Sequence, residues 1–322
     1  MNCTSGSHLL VFPRLRVQNA NAISSPLTHG FPSMTAFLGV MWALERKLQQ
    51  AGLDLPMNAI GVVCHDHQEQ VTEGGFVKTF RLTRNPVDKA GKTAAIVEEG
   101  RIHLEVSLVI SINTESWREE YLVQVAETLA SMRIAGGTIH PQAKSWLHRY
   151  QPKVVDLSGD EASRLKKFRE LSRSLLPGFT LVARDDLLDK RLSQLQTENP
   201  NATRLDAWLS LSRVDWHYQA DAENGKGKWQ PNHTSPGWIV PIPVGYGALG
   251  EVHEPGTVAN ARDNTTPFRF VESLYSVGQW LSPHRLHAAE QLLWYADSQP
   301  ENGIYRCRND YENSLTSTQN SF

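Results

Sequence analysis

Over the first 140 residues the hydrophobic period changes between strand and helix in one particular order, and few folds accommodate that order. His8 to Arg16 reads as a strand that opens on the apolar run LLVF and turns polar and amide-rich at Gln18, Asn19 and Asn21. A loop with Pro26, Gly30 and Pro32 follows, and Ser33 is placed to cap a helix from about Met34 to Gln50. In that helix Phe37, Leu38, Met41, Trp42 and Leu44 form one apolar stripe. AIGVVC, Ala59 to Cys64, predicts a short buried strand, and Ile102 to Asn113, which alternates over its first half, predicts another. Glu119 to Ile134 predicts an amphipathic helix with Leu122, Val125, Ala126, Leu129 and Met132 at helical spacing, stopped by Gly136-Gly137. Thr138 to His140 then starts a further strand. The order β-α-β-β-α-β predicts an α+β fold with a ferredoxin-like, RRM-type core.

The core's middle strands are separated by residues 68–101, a polar stretch with turn signals at Gly74-Gly75, Asn85-Pro86 and Gly91 and six cations from Lys78 to Arg101. It predicts an extended, projecting hairpin. Residues 1–150 thus read as one domain with an insertion, and 151–322 as a second α+β region that partly completes the core. In that second region helices are predicted over Asp160 to Leu175, Leu187 to Leu195, Asp206 to Val214 and Pro283 to Ala296, and a strand over Phe179 to Ala183. Trp238 to Val244 suits only a sheet edge, because Pro241 and Pro243 have no amide to donate.

With 322 residues the chain can bury a sizeable core. Its net charge of −2 excludes a protein that coats nucleic acid through overall basicity, so contact with a polyanion must be local. Nine Trp are available as core anchors, partner anchors or stacking platforms. Cys3, Cys64 and Cys307 stand far apart, which fits a reducing compartment and argues against a disulfide framework. No apolar run approaches the roughly 18 residues of a membrane span, and there is no signal-peptide pattern, so the expected location is the cytoplasm.

No phosphate-binding glycine loop, dinucleotide fingerprint or nucleophile elbow is present. Cys64, His65, Asp66 and His67 raise a metal site, but on a strand only alternate side chains share a face; the competing reading is a strand end entering the polar insertion. His284 and His287 are open to an acid–base role or to helix capping. Gly136-Gly137 suits close approach of a phosphate or a helix stop. Arg164, Lys166, Lys167, Arg169 and Arg173 crowd one predicted helix, as a nucleic-acid face or a solvated one. In NARDNTTPFRF, from Asn260, aromatic rings alternate with Arg269, a combination that binds single-stranded RNA or packs as a strand.

Several long segments carry a resemblance in order along the chain: PRLRVQNANAISSPLTHGFP, LTRNP with TAAIVEEGRIHLEVSL, MRIAGGTI, LLPGF, GWIVPIPVGY, and NARDNTTPFRFVESLY with GQWLSPHR. In these the chain resembles the Csy-two (Cas-five type RAMP) subunits of type I-F CRISPR-Cas surveillance complexes over almost its whole length, least so in 220–235 and at the termini. The resemblance implies a non-catalytic crRNA-binding subunit with no cofactor and no metal. It would cap the crRNA 5′ handle, pair with the complex's large subunit, abut the first backbone (Csy-three type) subunit, and meet target DNA only through the guide. The insertion 68–101 would be its thumb. On residue type and expected position the RNA contacts are assigned to Arg14, Arg16, Asn19 and Asn21; to Arg84 and Asn85 in the thumb; to Arg133, Gly136 and Gly137; and to Arg262, Phe268 and Arg269. Two alternatives stay open: a metal-independent endoribonuclease processing precursor crRNA with His65, His67 or His140, and an adaptor touching only protein.

Overall fold

The computed structural model describes residues 6–84, 87, 90–93, 96–113, 117–141, 149–213, 215–219, 227–231, 237–261 and 263–312. Its framework is one antiparallel sheet. We number the strands β1 (His8–Asn21), β2 (Met57–Glu69), β3 (Arg101–Ile112), β4 (Arg133–Ile134), β5 (Gly137–His140), β6 (Lys153–Asp156), β7 (Phe179–Ala183), β8 (Ile239–Ala248), β9 (Val271–Leu281), β10 (Trp294–Gln299) and β11 (Ile304–Asn309). The longer helices are α1 (Met34–Gln50), α2 (Tyr121–Ala130), α3 (Glu161–Ser174), α4 (Asp185–Glu198) and α5 (Arg204–Ser212). Among the described residues no helix is long and apolar enough to cross a membrane.

The strand order is β4-β5-β1-β3-β2-β7-β9-β8-β11-β10. Along one edge β1 pairs with β3 from His8 to Asn21, and its other edge is shared, β6 taking His8–Val11 and β5 taking Arg16–Gln18. At the far end Trp294 of β10 returns to lie opposite Ile60 of β2, so β2, β7, β9, β8, β11 and β10 close into a ring. Strands on both sides of residue 150 therefore share one sheet. The Trp294 indole is buried and donates to the Leu181 carbonyl at 2.8 Å, tying β10 to β7.

Burial explains where the sequence alternates and where it does not. Leu10 and Phe12 of β1 pack with Phe37, Leu38, Met41 and Leu44 of α1 and Val125 and Leu129 of α2. Leu9 and Val11 point the other way, onto Phe168 and Leu171 of α3. A strand covered on both faces is a continuous apolar run. Past Phe12 the second cover ends, and from there Val17 and Ala20 stay buried under the helices while Arg16, Gln18, Asn19 and Asn21 are exposed. The first half of β3 alternates for the same reason: Ile102, Leu104 and Val106 face α1 and α2, and His103 and Glu105 face away.

Local chemistry sets the helix ends. Ser33 caps α1, its hydroxyl accepting from the Thr35 amide, and Asp160 caps α3 through the Ser163 amide. Thr203 and Asp206 form a capping box on α5. The helix predicted over Glu119 to Ile134 stops at Ala130. Arg133–Ile134 instead pairs with Gly137–His140, so Gly136-Gly137 belongs to a hairpin turn and not to a helix stop. The predicted final helix is replaced by a 3-10 turn (Pro283–Arg285), a single helical turn (Ala289–Leu292) and the strand β10; LLWYA is an apolar run whose period does not separate helix from strand. β8 is an interior strand, not an edge. Its second neighbour β11 reaches only Gly245–Gly247, beyond Pro241 and Pro243, so the prolines sit where no second ladder needs their amides. In the insertion, two short hairpins are formed, Val71–Gly74 with Val77–Phe80 and Leu82–Arg84 with Ile96–Glu98.

One polar network pins the turn after α3 to the sheet. A bulge in β1 puts Arg14 at φ 56°, and its amide donates to Ser107 Oγ at 3.0 Å. Its guanidinium bonds Glu105 at 2.6 Å and the Pro177 carbonyl at 3.3 Å. His65 lies 2.6 Å from the same carbonyl through Nδ1 and 2.6 Å from Ser107 Oγ through Nε2. The tautomer consistent with all of these carries its proton on Nδ1, with Nε2 accepting from the Ser107 hydroxyl. Burial, reinforced by the Arg14 charge, holds the His65 pKa below its ordinary 6.5.

Three outcomes follow for unfolding experiments. Trp294→Ala removes a buried side chain at the ring closure and lowers stability by about 3–5 kcal/mol in urea titrations. Arg14→Ala leaves Glu105 without its partner, both side chains being under one-fifth exposed, and costs about 3 kcal/mol. The unfolded chain protonates His65 more readily than the folded one, so this group's contribution is full above pH 6.5 and is lost as pH falls through the depressed folded value. Stability measured from pH 7 to pH 5 therefore falls less steeply in His65→Gln than in the parent chain.

Candidate nucleic-acid interface

The uncovered half of the sheet, opposite α1 and α2, is built from the alternating stretches of β1 and β3 and the hairpin β4-β5. Register places Arg16 beside His140 and Gln18 beside Thr138. Thr138 in turn lies beside Arg133, while Arg16 also faces Glu105 on the opposite edge. Residues in register share a face, so Arg16, Gln18, Arg133, Thr138 and His140 form one exposed polar surface. Glu105 is held by Arg14, and among the described residues neither Arg16 nor Arg133 makes an ion pair. Two exposed guanidinium groups on one strand face suit phosphate oxygens.

The rim of this surface is fixed by amides. A second bulge places Asn19 at φ 58°. Its amide donates to His103 Nδ1 at 3.2 Å, and the Gln70 amide lies between Asn19 Oδ1 (2.5 Å) and His103 Nε2 (3.1 Å). Asn21 closes its own turn, donating from Nδ2 to the Ile23 carbonyl at 2.8 Å and accepting from the Ile23 amide at 3.0 Å. Its backbone amide bonds the Ala135 carbonyl at 2.8 Å, joining β1 to the β4-β5 turn. In that turn Gly136 is exposed at φ 78° with open space around it. A Cβ on Gly137, by contrast, would stand 2.7 Å from the Ala20 amide nitrogen, so glycine there is a packing requirement of the hairpin against β1.

The other sequence-assigned residues lie elsewhere. Arg14 belongs to the part-buried network, its guanidinium bonded to Glu105 and the Pro177 carbonyl. Arg84 ends the strand Leu82–Arg84; its side chain, Asn85 and Arg262 lie outside the described residues. Phe268 bridges to His253 and packs edge-on against Phe270 at 5.0 Å, on the loop between β8 and β9. Arg269 is a clamp: Nε donates to the Gly250 carbonyl at 2.8 Å and Nη1 to the Pro300 carbonyl at 3.3 Å. The structure thus gathers Arg16, Asn19, Asn21, Arg133, Gly136 and Gly137 and does not bring Phe268 and Arg269 to them. On α3, Arg164 pairs with Glu290 and Lys167 with Asp156, leaving Lys166, Arg169 and Arg173 exposed.

Gln18, Gln70, His103 and His140 were not assigned from the sequence, although the alternation in IHLEVS carries the signal for His103 and register with β1 supplies His140. His140 Nε2 is bonded to Gln18 Oε1 at 2.5 Å. Both nitrogens of His65 have partners, and burial first, then Asp66, pushes the Cys64 thiol up to about 12. Neither is poised for acid–base or nucleophilic work at neutral pH. Among the described residues no three His, Cys, Asp or Glu side chains gather as a metal site.

The model of the CRISPR-associated protein (Cas_Csy2) family matches residues 10–307. A curated relative, CRISPR-associated protein Csy2 of Pseudomonas aeruginosa (strain UCBPP-PA14), is 45% identical over 317 residues, which span 95% of this chain and 96% of the relative. The matched segment runs from β1 into β11, across the open face and the closed ring alike. The chain belongs to the CRISPR-associated Csy2 family.

Proposed function

We propose that this protein is the non-catalytic crRNA-binding subunit of a type I-F CRISPR surveillance complex, holding the 5′ handle of the crRNA. The observation that carries this reading is the open face, where Arg16 and Arg133, without ion-pair partners among the described residues, stand over an amide-lined rim on a chain that is otherwise charge-balanced. A handle held there is gripped by its backbone, while target sequence is read through guide pairing. The order β5-β1-β3-β2, with α1 and α2 on one side, supports a ferredoxin-like, RRM-type core of the RAMP kind. The insertion 68–101 acts as a thumb; Phe76, wholly exposed at the first hairpin's turn, supports that role. In the complex the chain pairs with the large subunit and abuts the first backbone subunit, and target DNA reaches it only through the guide.

Expressed with its neighbouring subunits and purified by tag, the protein should carry one RNA species with a uniform repeat-derived 5′ end. Arg16→Ala and Arg133→Ala should each weaken that RNA's binding and lower the slope of log K against log salt by about 0.7, the value for one single-strand phosphate contact. Unchanged slopes would remove the open face as the RNA site. Purified protein incubated with repeat RNA and EDTA should leave the RNA intact; cleavage abolished by His67→Ala or His140→Ala would establish the endoribonuclease reading instead.

A further inference from the structure

On the far side of β2 from the open face's arginines lies a cleft of about 710 Å³. Its aromatic wall is a run of rings in contact: Phe179 with Trp238 at 6.0 Å, Trp238 with Trp280 at 6.0 Å, and Trp280 with Phe31 at 5.0 Å. Trp238 is 55% and Phe179 47% exposed, although both sit beside buried strands. Gly237, at φ 126°, lets the chain turn past Gln279, and the Trp280 amide bonds the Trp238 carbonyl at 3.0 Å, so the wall is held by backbone. Asp66, His67, Glu69 and Glu73 also line the cleft. Glu69 is engaged by His29 at 2.9 Å and Glu73 by Lys78 at 2.7 Å, while Asp66 has no ion-pair partner among the described residues. Among the described residues Lys78 is the one lysine lining the cleft and no arginine lines it.

We propose that this cleft receives an arginine side chain of a partner protein, its guanidinium laid on the indole of Trp238 and its N–H donors directed at Asp66. The charge argues against a nucleotide: among the described residues three carboxylates and one lysine line the cleft, and a phosphate brought there meets net repulsion from them. The same lining favours a cation. Guanidinium stacks on an indole face, is more weakly hydrated than ammonium, and matches a carboxylate with paired donors. Exposed Trp in a partly enclosed pocket, paired with Arg from the other side, is also the composition in which binding energy concentrates at protein interfaces. This rests on the reading of the chain as a complex subunit, and it names the surface a protein neighbour uses, two strands across from Arg16 at the far end of the register row Arg16–Glu105–Asp66.

The test uses the tagged chain co-expressed with its neighbouring subunits, comparing the parent with Trp238→Ala, Trp238→Phe and Asp66→Asn. Each protein subunit and the RNA recovered per tagged chain are measured after a moderate-salt wash, and thermal melting of each purified chain checks folding. The expected result is at least a fivefold loss of one protein subunit in Trp238→Ala, a smaller loss in Asp66→Asn, substantial retention in Trp238→Phe, and unchanged RNA and melting. A photo-cross-link from p-benzoylphenylalanine at position 238 should then land on a peptide of that subunit within a few residues of an arginine. RNA lost while the proteins stay would make the cleft an RNA site and overturn the proposal. Full recovery of every subunit in Trp238→Ala, or a cross-link to a segment with no arginine, would also overturn it. If the parent chain itself recovers neither RNA nor protein, the complex-subunit reading fails and the inference with it.

Discussion

The pairing of β1 with β3 is the interaction on which the other features hang. It runs the full length of both strands, and β1 slips register twice along it, at Arg14 and at Asn19. Each slip does something different. The first turns a would-be surface arginine into the centre of a part-buried network that fastens the Pro177 turn. The second turns the chain so that the rim amides of Asn19 and Gln70 meet His103, while Arg16 and Gln18 between the two bulges remain on the solvent side. Bulges re-aim side chains without breaking a sheet, and here they divide one strand into a structural half and a presenting half.

That division also explains what the amino-acid sequence disclosed. Most core elements through residue 140 are legible from period and caps, but the end of the second helix is not: it has no side-chain cap, and the Gly136-Gly137 pair belongs to a hairpin whose first strand reads as helix. The open face was visible only as alternation confined to half of β1 and half of β3; its meaning depends on where the cover of α3 ends, which is a tertiary fact. Arg14 and Arg16 look equivalent in LRV-type strand sequence, two residues apart, and only a bulge separates their roles. Arg269 reads as an RNA-contacting cation between two phenylalanines and is a carbonyl clamp, because loop backbone left unpaired must find donors somewhere. The segment before β10 was misread for a plainer reason: short apolar runs carry no period that tells a helix from a strand. The rim residues supplied by register, His140 above all, cannot be placed without knowing which strands are neighbours.

The surface electrostatics are local in the same sense. A balanced chain separates its charges into neighbourhoods: exposed guanidinium groups over β1 and β4, carboxylates against aromatic rings along β2 and β9. Neither neighbourhood would be visible in the net charge. A polyanion and a cationic partner can be sorted to different neighbourhoods of one sheet, since interactions between exposed charges fade over about 8–10 Å at physiological salt.

The membership of β2 in two structures deserves a mechanical reading. It is an inner strand of the open sheet and also one stave of the closed ring. A hinge between the halves of the chain would have to shear a strand that is hydrogen-bonded on both edges, so the ring and the open face move as one piece. The edge at β5 and the aromatic wall at β7 are then separated by four strand spacings, about 19 Å at roughly 4.8 Å each. Groups that touch the β5 edge and the aromatic wall are set that far apart along one continuous sheet.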